Sequence, residues 1–589
     1  MQTLLSAAPA PPPRLNLAPV RGSEARVFAV AFAVSLLLLA VGPYTNVNPN
    51  GSLDPWFYTG YFQNFSEMVE RYGSTYYVSR LPYVLPGVAL YKIFSPAVAN
   101  WVLNALLLTA IVAPLYLVIA GIFGRLAGLL AAIAAISNSY LVSTILWDYP
   151  DGPAIAFAML GFWLYLGSDT RTPSRWGAAG AGAMWMMAGI TNFIVVFSLV
   201  GLAATAALWH RRTLKELLGD AAFFALGSIA CLAVWFGISK LTLGIWNLLG
   251  PQWGQVRHAS DNKDYLLNMW GRGYEWIPEA FRLIPIVAAV ILGLILVATR
   301  RSAEFPQGHR AALAAVIGLA ISLACFAWME FGMQKVLLRV SYHSSYLTSS
   351  LLVAVGALAG YVLSRLPTTW PRWAAFALVA ACFAAPLISR AYWYKPFEYL
   401  PWLAGLLGGS LLLAVPRGAV ACLGLAAFAA LVTLAPAVDQ VGARALGPKE
   451  ALFIPDSSSK IVANRAAYSL ELSHDLQVLL KNGGLRRHPL RFWFDRDEPN
   501  KDFFESLYAM FLWGESDVAR VLQTSTPEQL RQFFPAPCRL VHLATDQHKI
   551  HAHRQRLEEA GLVWREMGNW TLGRRGQRYR IALDEVSFR

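Results

Sequence analysis

The sequence predicts a mostly α, polytopic helical membrane protein that carries a small C-terminal α/β domain outside the bilayer. Three observations lead there. Of 589 residues, 56% are hydrophobic and only 14% charged; apolar runs recur from about residue 27 to 436; and beyond residue 437 the charges return. Water cannot be the only solvent of such a chain. Its 21 Trp and 23 Tyr suit the interfacial belts where amphipathic rings sit at headgroup depth.

The formal net charge of +14 raises the question of a nucleic-acid partner. The basic residues, however, fall in small groups between apolar runs, as orientation signals do, and we expect no nucleic acid. Five cysteines are too few and scattered for a framework. Cys231, Cys325, Cys382 and Cys422 lie in apolar spans, where a thiol is a small buried hydrophobe, and Cys538 stands alone in the polar tail. Neither a disulfide scaffold nor a metal site is expected.

Residues 1–26 are rich in Pro and Ala and contain Arg14, Arg21 and Arg26. They read as a disordered, basic, cytoplasmic tail before an uncleaved first span, since no small-residue cleavage site follows the apolar run. The expected spans are 27–42, 99–123, 126–146, 152–166, 176–189, 193–209, 221–238, 283–298, 311–329, 345–363, 373–388, 400–415 and 419–436. That makes about thirteen helices in a transmembrane domain over 27–436.

Charge distribution orients them. Alternate connections are basic: Arg125; Arg171 and Arg175; Arg211, Arg212 and Lys215; Arg300, Arg301 and Arg310; Arg365 and Arg372; Arg417. These belong on the cytoplasmic side. The opposite connections, 44–95, 147–151, 243–282, 330–344 and 389–399, are mostly rich in aromatics. An odd number of spans then leaves 437–589 on the outer face. In that tail Tyr579, Ile581 and Leu583 alternate with Arg578 and Arg580 as a strand does, and Thr526-Pro-Glu-Gln has the form of a capping box. A small α/β domain of ordinary size is expected.

The candidates for chemistry all fall in outer connections. After the first span, Asp54 sits among Trp56, Phe57, Tyr61, Phe62 and Phe65, spaced for an amphipathic helix lying in the interface, and Arg80 precedes a proline. The second cluster is Trp147-Asp148-Tyr149-Pro150-Asp151-Gly152-Pro153, two acids in a proline turn. The third is basic and polar: Lys335, Arg339, Tyr342 and His343. Plainer roles stand beside these. Asp54 followed by Pro55 fits an N-cap. Asp148 and Asp151 fit turn or cap residues. Arg80 and Arg339 have the length to snorkel to headgroups. His548, His551 and His553 fit a solvated helix better than a metal site, because only the first pair shares a helical face at close spacing.

The three clusters share a chemical logic. Glycosyl transfer needs a base for a weakly acidic hydroxyl and a cationic cradle for a departing phosphate. Arginine's planar fork grips two phosphate oxygens at once. If the donor hangs from a lipid phosphate, both groups belong at the membrane surface.

An acid soon after the first span, an Arg-Leu-Pro before a proline-broken apolar stretch (Arg80-Leu81-Pro82 to Pro86), the turn WDYPDGP after the third span, and a late turn from Lys335 to Tyr342 together resemble the GT-C superfamily. Within it the chain looks most like the polyprenyl-phosphate-sugar transferases related to glycosyltransferase family 39, with the protein O-mannosyltransferases and lipid A aminoarabinose transferases. The resemblance covers about residues 27–365. It implies a GT-C-like fold and a general-base role for Asp54. It also implies donor-phosphate binding by Arg80, Arg339 and Tyr342, with Lys335 and His343 in the same turn. Asp148 and Asp151, with Trp147 and Tyr149, would orient substrate. Asp-Pro stands where many members have adjacent acids, so a divalent metal is not supported. The resulting expectation is an inverting glycosyltransferase of a bacterial inner membrane, with a polyprenyl-phosphate sugar as donor and an extracytoplasmic glycan, lipid or protein hydroxyl as acceptor. Trp253, Trp270 and Trp276 are expected to close over a sugar. A transporter or flippase of a lipid-linked saccharide, or a ligase of whole chains, is the alternative. Ionisable groups at outer helix ends rather than at midspan favour the enzyme.

Overall fold

The computed structural model describes residues 24–41, 53–146, 150–167, 174–209, 213–261, 306–338 without 336, 345–365, 490–493 and 518–588 without 537, 545, 575 and 576, with a few isolated positions between. In the first part of the chain these form α1 (Glu24–Val41), α2 (Leu53–Tyr72), α3 (Leu81–Ile93), α4 (Pro96–Phe123), α5 (Arg125–Ser137), α6 (Ser139–Leu146), α7 (Asp151–Leu166), α8 (Arg175–Thr191) and α9 (Val196–Trp209). Then follow α10 (Leu214–Leu243), α11 (Gly250–Asp261), α12 (Pro306–Ala327), extended by a π-helical turn Trp328–Gly332, and α13 (Leu347–Arg365). Among the described residues three helices are long and apolar enough to cross a membrane: Val98–Phe123, Leu214–Leu243 and Gln307–Gly332. The expected spans 283–298, 400–415, 419–436 and most of 373–388 lie outside the described residues.

Small residues let these helices pack closely. Gly124 takes a left-handed φ of 89°, which an L side chain resists, and so joins α4 directly to α5. A Cβ on Gly182 would stand 2.1 Å from the carbonyl oxygen of Phe224, and one on Gly227 would stand 1.9 Å from that of Ala179. Helices α8 and α10 therefore meet backbone to backbone, as in other membrane bundles. The outer face of α10 keeps Leu226, Ile229, Val234 and Leu241 exposed, as suits a helix bathed in lipid.

The helices alternate in direction. Asn192, after α8, bonds to Asp151 at the start of α7, so Arg175 at the start of α8 lies at the far end. His309 near the start of α12 lies 3.2 Å from the Tyr361 hydroxyl near the end of α13, which groups Arg310 with Arg365 away from Tyr346. The basic starts of α8 and α12 thus lie away from the end where Asp151, Asn192 and Tyr346 meet.

Three local features differ from the sequence expectation. The expected span 126–146 is two helices, because Asn138 turns its side chain to the backbone and accepts a hydrogen bond from Leu141 N at 2.8 Å. The proline-broken stretch after Arg80 is the continuous helix α3. Pro82 sits in its first turn, where an N–H has no helical partner, and Pro86 is carried within. The aromatic helix α2 forms, but Tyr58, Tyr61 and Phe62 are buried in a cluster with Leu81, Tyr83 and Val84 rather than facing lipid. Its rings find protein partners: Phe62 packs edge-on against Tyr83 at 5.3 Å.

The tail holds α14 (Val518–Thr524), α15 (Pro527–Phe533), α16 (Gln547–Glu559) and strands β1 (Leu490–Trp493), β2 (Cys538–Ala544), β3 (Leu562–Arg574) and β4 (Gln577–Phe588). The sheet order is β1-β2-β4-β3, with β1 parallel to β2 and the other pairs antiparallel. The expected capping box closes at Thr526 and Gln529, and the expected strand is β4. Cys538 is buried in β2.

The three histidines of α16 part company. His548 and His551 are exposed, whereas His553 is buried, stacked on Trp493 at 4.2 Å and 3.4 Å from His542. His542 in turn lies 2.9 Å from Asp584, which Arg554 grips with two hydrogen bonds of 2.8 and 2.7 Å. Burial lowers the His542 pKa against the opposing pull of Asp584. Burial pushes the Asp584 carboxyl up, but the bonds from His542 and Arg554 outweigh it and leave the pKa lowered.

Candidate active site at one end of the bundle

Arg80 precedes α3 and lies within its N-terminal turn: its carbonyl accepts from Tyr83 N at 2.9 Å and from Val84 N at 3.0 Å. The side chain is buried. Its guanidinium lies 4.1 Å from the centre of the Tyr76 ring, and Nη1 donates to the hydroxyl of Tyr58 on α2. Stacking on one ring and bonding to another fixes the plane of the fork.

Asp151 opens α7 and is 1% exposed. Its Oδ1 accepts from Asn192 Nδ2 at 2.8 Å and from the hydroxyl of Tyr346, just before α13. Among the described residues its Oδ2 is buried without a hydrogen-bond partner. The field of Arg80 reaches both Asp151 and Tyr346, so one buried cation and one buried carboxyl belong to a single cluster.

Neighbouring elements hold these groups in place. Asn192 uses its Oδ1 to accept from Ile194 N at 3.2 Å, and so caps the 3₁₀ turn Phe193–Val195 while its amide reaches Asp151. Ser198 donates to the carbonyl of Tyr346 at 2.8 Å. Gln252 of α11 donates to Ile190 O at 2.6 Å, which seats the Trp253 segment beside the same turn. Trp253 is exposed; Trp270 and Trp276 lie outside the described residues.

Of the candidates read from sequence, the structure brings Arg80 and Asp151 together. Asp54 lies in the first turn of α2, with its side chain outside the described residues, as are Trp147, Asp148, Tyr149, Arg339, Tyr342 and His343. Lys335 is half-buried on the turn after α12. Tyr58, Tyr76, Asn192 and Tyr346 complete the cluster without having been singled out. Their signal was weak but present: Asn192 and Tyr346 are polar residues flush against the ends of apolar spans, where a side chain meets other helix ends. Among the described residues no three His, Cys, Asp or Glu side chains converge as metal ligands.

No protein-family model matches the chain, and no curated protein matches it. Among solved structures, the crystal structure of ArnT from Cupriavidus metallidurans in the apo state covers 95% of this chain and 97% of that one, at 15% identity and a TM-score of 0.45. A likeness of this score decides nothing about chemistry, which rests on the site's own residues.

Proposed function

We propose that this chain is an integral-membrane, inverting glycosyltransferase that moves a sugar from a polyprenyl-phosphate donor to a hydroxyl at the outer face of a bacterial inner membrane. The observation that supports it best is the buried Arg80, oriented by Tyr58 and Tyr76 at the bundle end where Asp151, Asn192 and Tyr346 meet. A planar cation held this rigidly suits two oxygens of a departing phosphate.

In the proposed reaction Asp54 takes the proton of the acceptor hydroxyl, whose oxygen attacks the anomeric carbon. The bond from that carbon to the phosphate oxygen breaks, and the electron pair leaves with polyprenyl phosphate. Arg80, Lys335 and Arg339 offset the added charge, and Tyr342 and His343 are further donor-phosphate-binding residues of the late turn. Asp151, with Trp147, Asp148 and Tyr149, orients the substrates, its Oδ2 accepting a hydrogen bond from one of them.

The test is transfer of radiolabelled sugar from a panel of polyprenyl-phosphate sugars to membrane extracts, with wild type and Asp54→Asn in liposomes. Label leaving the lipid with wild type alone is the expected result. Equal transfer by a folded Asp54→Asn protein would remove Asp54 from the chemistry. Labelled lipid that changes leaflet without losing its sugar would establish transport instead.

A further inference from the structure

The turn that follows α12 is built in an unusual way. Its helix ends in a π-helical turn, Trp328–Gly332, a form that is rare and frequent at functional sites. Gln334 then adopts a left-handed φ of 54°, a conformation that costs a side-chain-bearing residue energy unless the surroundings impose it. Inside this turn Glu330 is completely buried. Its Oε2 accepts from the backbone N–H groups of both Leu337 and Leu338, the latter at 2.9 Å. Lys335 N donates to Met329 O at 3.0 Å, closing the loop from the other side.

A carboxylate is a costly choice for mere loop closure in an apolar setting, because its charge must leave water. Two backbone donors on one oxygen supply the compensation, and charge-assisted bonds of this kind are strong and directional. What they hold is specific. Residues 333–338 carry Lys335 and lead directly into Arg339. On the same turn Trp328, Phe331 and Met333 are exposed, placing apolar surface beside the lysine. A cation flanked by apolar side chains suits a phosphate joined to a hydrocarbon chain.

We infer that Glu330 is a positioning residue: its buried carboxylate fixes the backbone of the basic turn so that Lys335 meets the phosphate of a lipid-linked donor. This rests on the reading given above. Glu330 itself touches no reacting atom. It acts by setting the register of Leu337 and Leu338, and hence the position of Lys335 just before them.

The experiment uses the full-length protein in nanodiscs and undecaprenyl phosphate as probe, comparing wild type, Glu330→Ala, Glu330→Asp and Glu330→Gln. Gln retains an oxygen that can accept both N–H groups, while Ala removes it and Asp withdraws it. Ala and Asp are expected to weaken probe binding by roughly ten- to a hundredfold, with Gln close to wild type. Hydrogen exchange of the Leu337 and Leu338 amides is expected to rise in Ala and Asp, and to stay slow in Gln. Should Ala fail to fold, Asp carries the comparison. Probe binding by wild type that Ala and Asp leave unchanged would overturn the inference, as would unchanged exchange at the two amides. Loss of binding in Gln equal to that in Ala, with the two amides still protected, would also overturn it, by separating probe binding from the anchoring of the turn. No binding by wild type, with the amides protected as expected, would overturn the lipid-phosphate reading and the role given to Glu330 together.

Discussion

The hydroxyl of Tyr346 donates to the Oδ1 of Asp151 across 195 positions of sequence, joining the start of α13 to the start of α7. That bond, with the one from Asn192, turns three helix ends into one site. Each partner is nearly or fully buried, so neither can exchange the bond for water without opening the bundle.

Tyr346→Phe therefore removes a donor from a buried acceptor while leaving the ring in place. A loss of roughly 1–3 kcal/mol of stability is expected, read as a lower thermal midpoint in detergent. Asn192→Leu is expected to act in the same direction through the other bond. A Phe variant as stable as wild type would show that Asp151 finds another donor.

Arg80→Lys keeps the charge but loses the plane that stacks on Tyr76. Sugar transfer is expected to fall by roughly tenfold or more, since a point charge cannot hold two phosphate oxygens in one orientation. Tyr76→Ala, which leaves Arg80 in place but unsupported, is expected to lower transfer less. Full activity of Arg80→Lys would reduce the residue to a generic countercharge.

Gly227→Leu is expected to separate α8 from α10, since even a Cβ meets the Ala179 carbonyl. Overpacking of this kind costs about 1–3 kcal/mol or more. Gly237 on the same helix has nothing within 4 Å, and Gly237→Ala is expected to be neutral or to stabilise by up to about 1 kcal/mol. Thermal unfolding of the two variants side by side reads the contrast.

The tail has a predictable response to acid. His542 has a lowered pKa in the fold, so below about pH 6.5 the unfolded chain binds a proton that the folded one refuses, and stability falls as pH falls. Asp584, also lowered, adds a contribution that persists to lower pH and is lost only as its own carboxyl protonates. Proteolysis of the tail in the full-length protein is expected to be faster at about pH 5 than at about pH 7.5, using a protease active at both. In His542→Gln the loss between these values is expected to shrink.

Apolar run length, the placement of arginines, a capping box at Thr526 and alternation around Ile581 are properties of neighbouring residues, and so they were legible in the sequence. Each depends on a local period or on a side chain reaching its own backbone. The same local character made Asp151 and Arg80 recognisable as charged residues at the ends of apolar segments. It could not say that Arg80 lies on Tyr76, or that Asp151 receives Tyr346 and Asn192. Nor could it divide His553 from His548 and His551 on one helix. Those outcomes depend on which helix ends and which strand face pack together, and burial then compels every polar group there to find a partner far away in sequence.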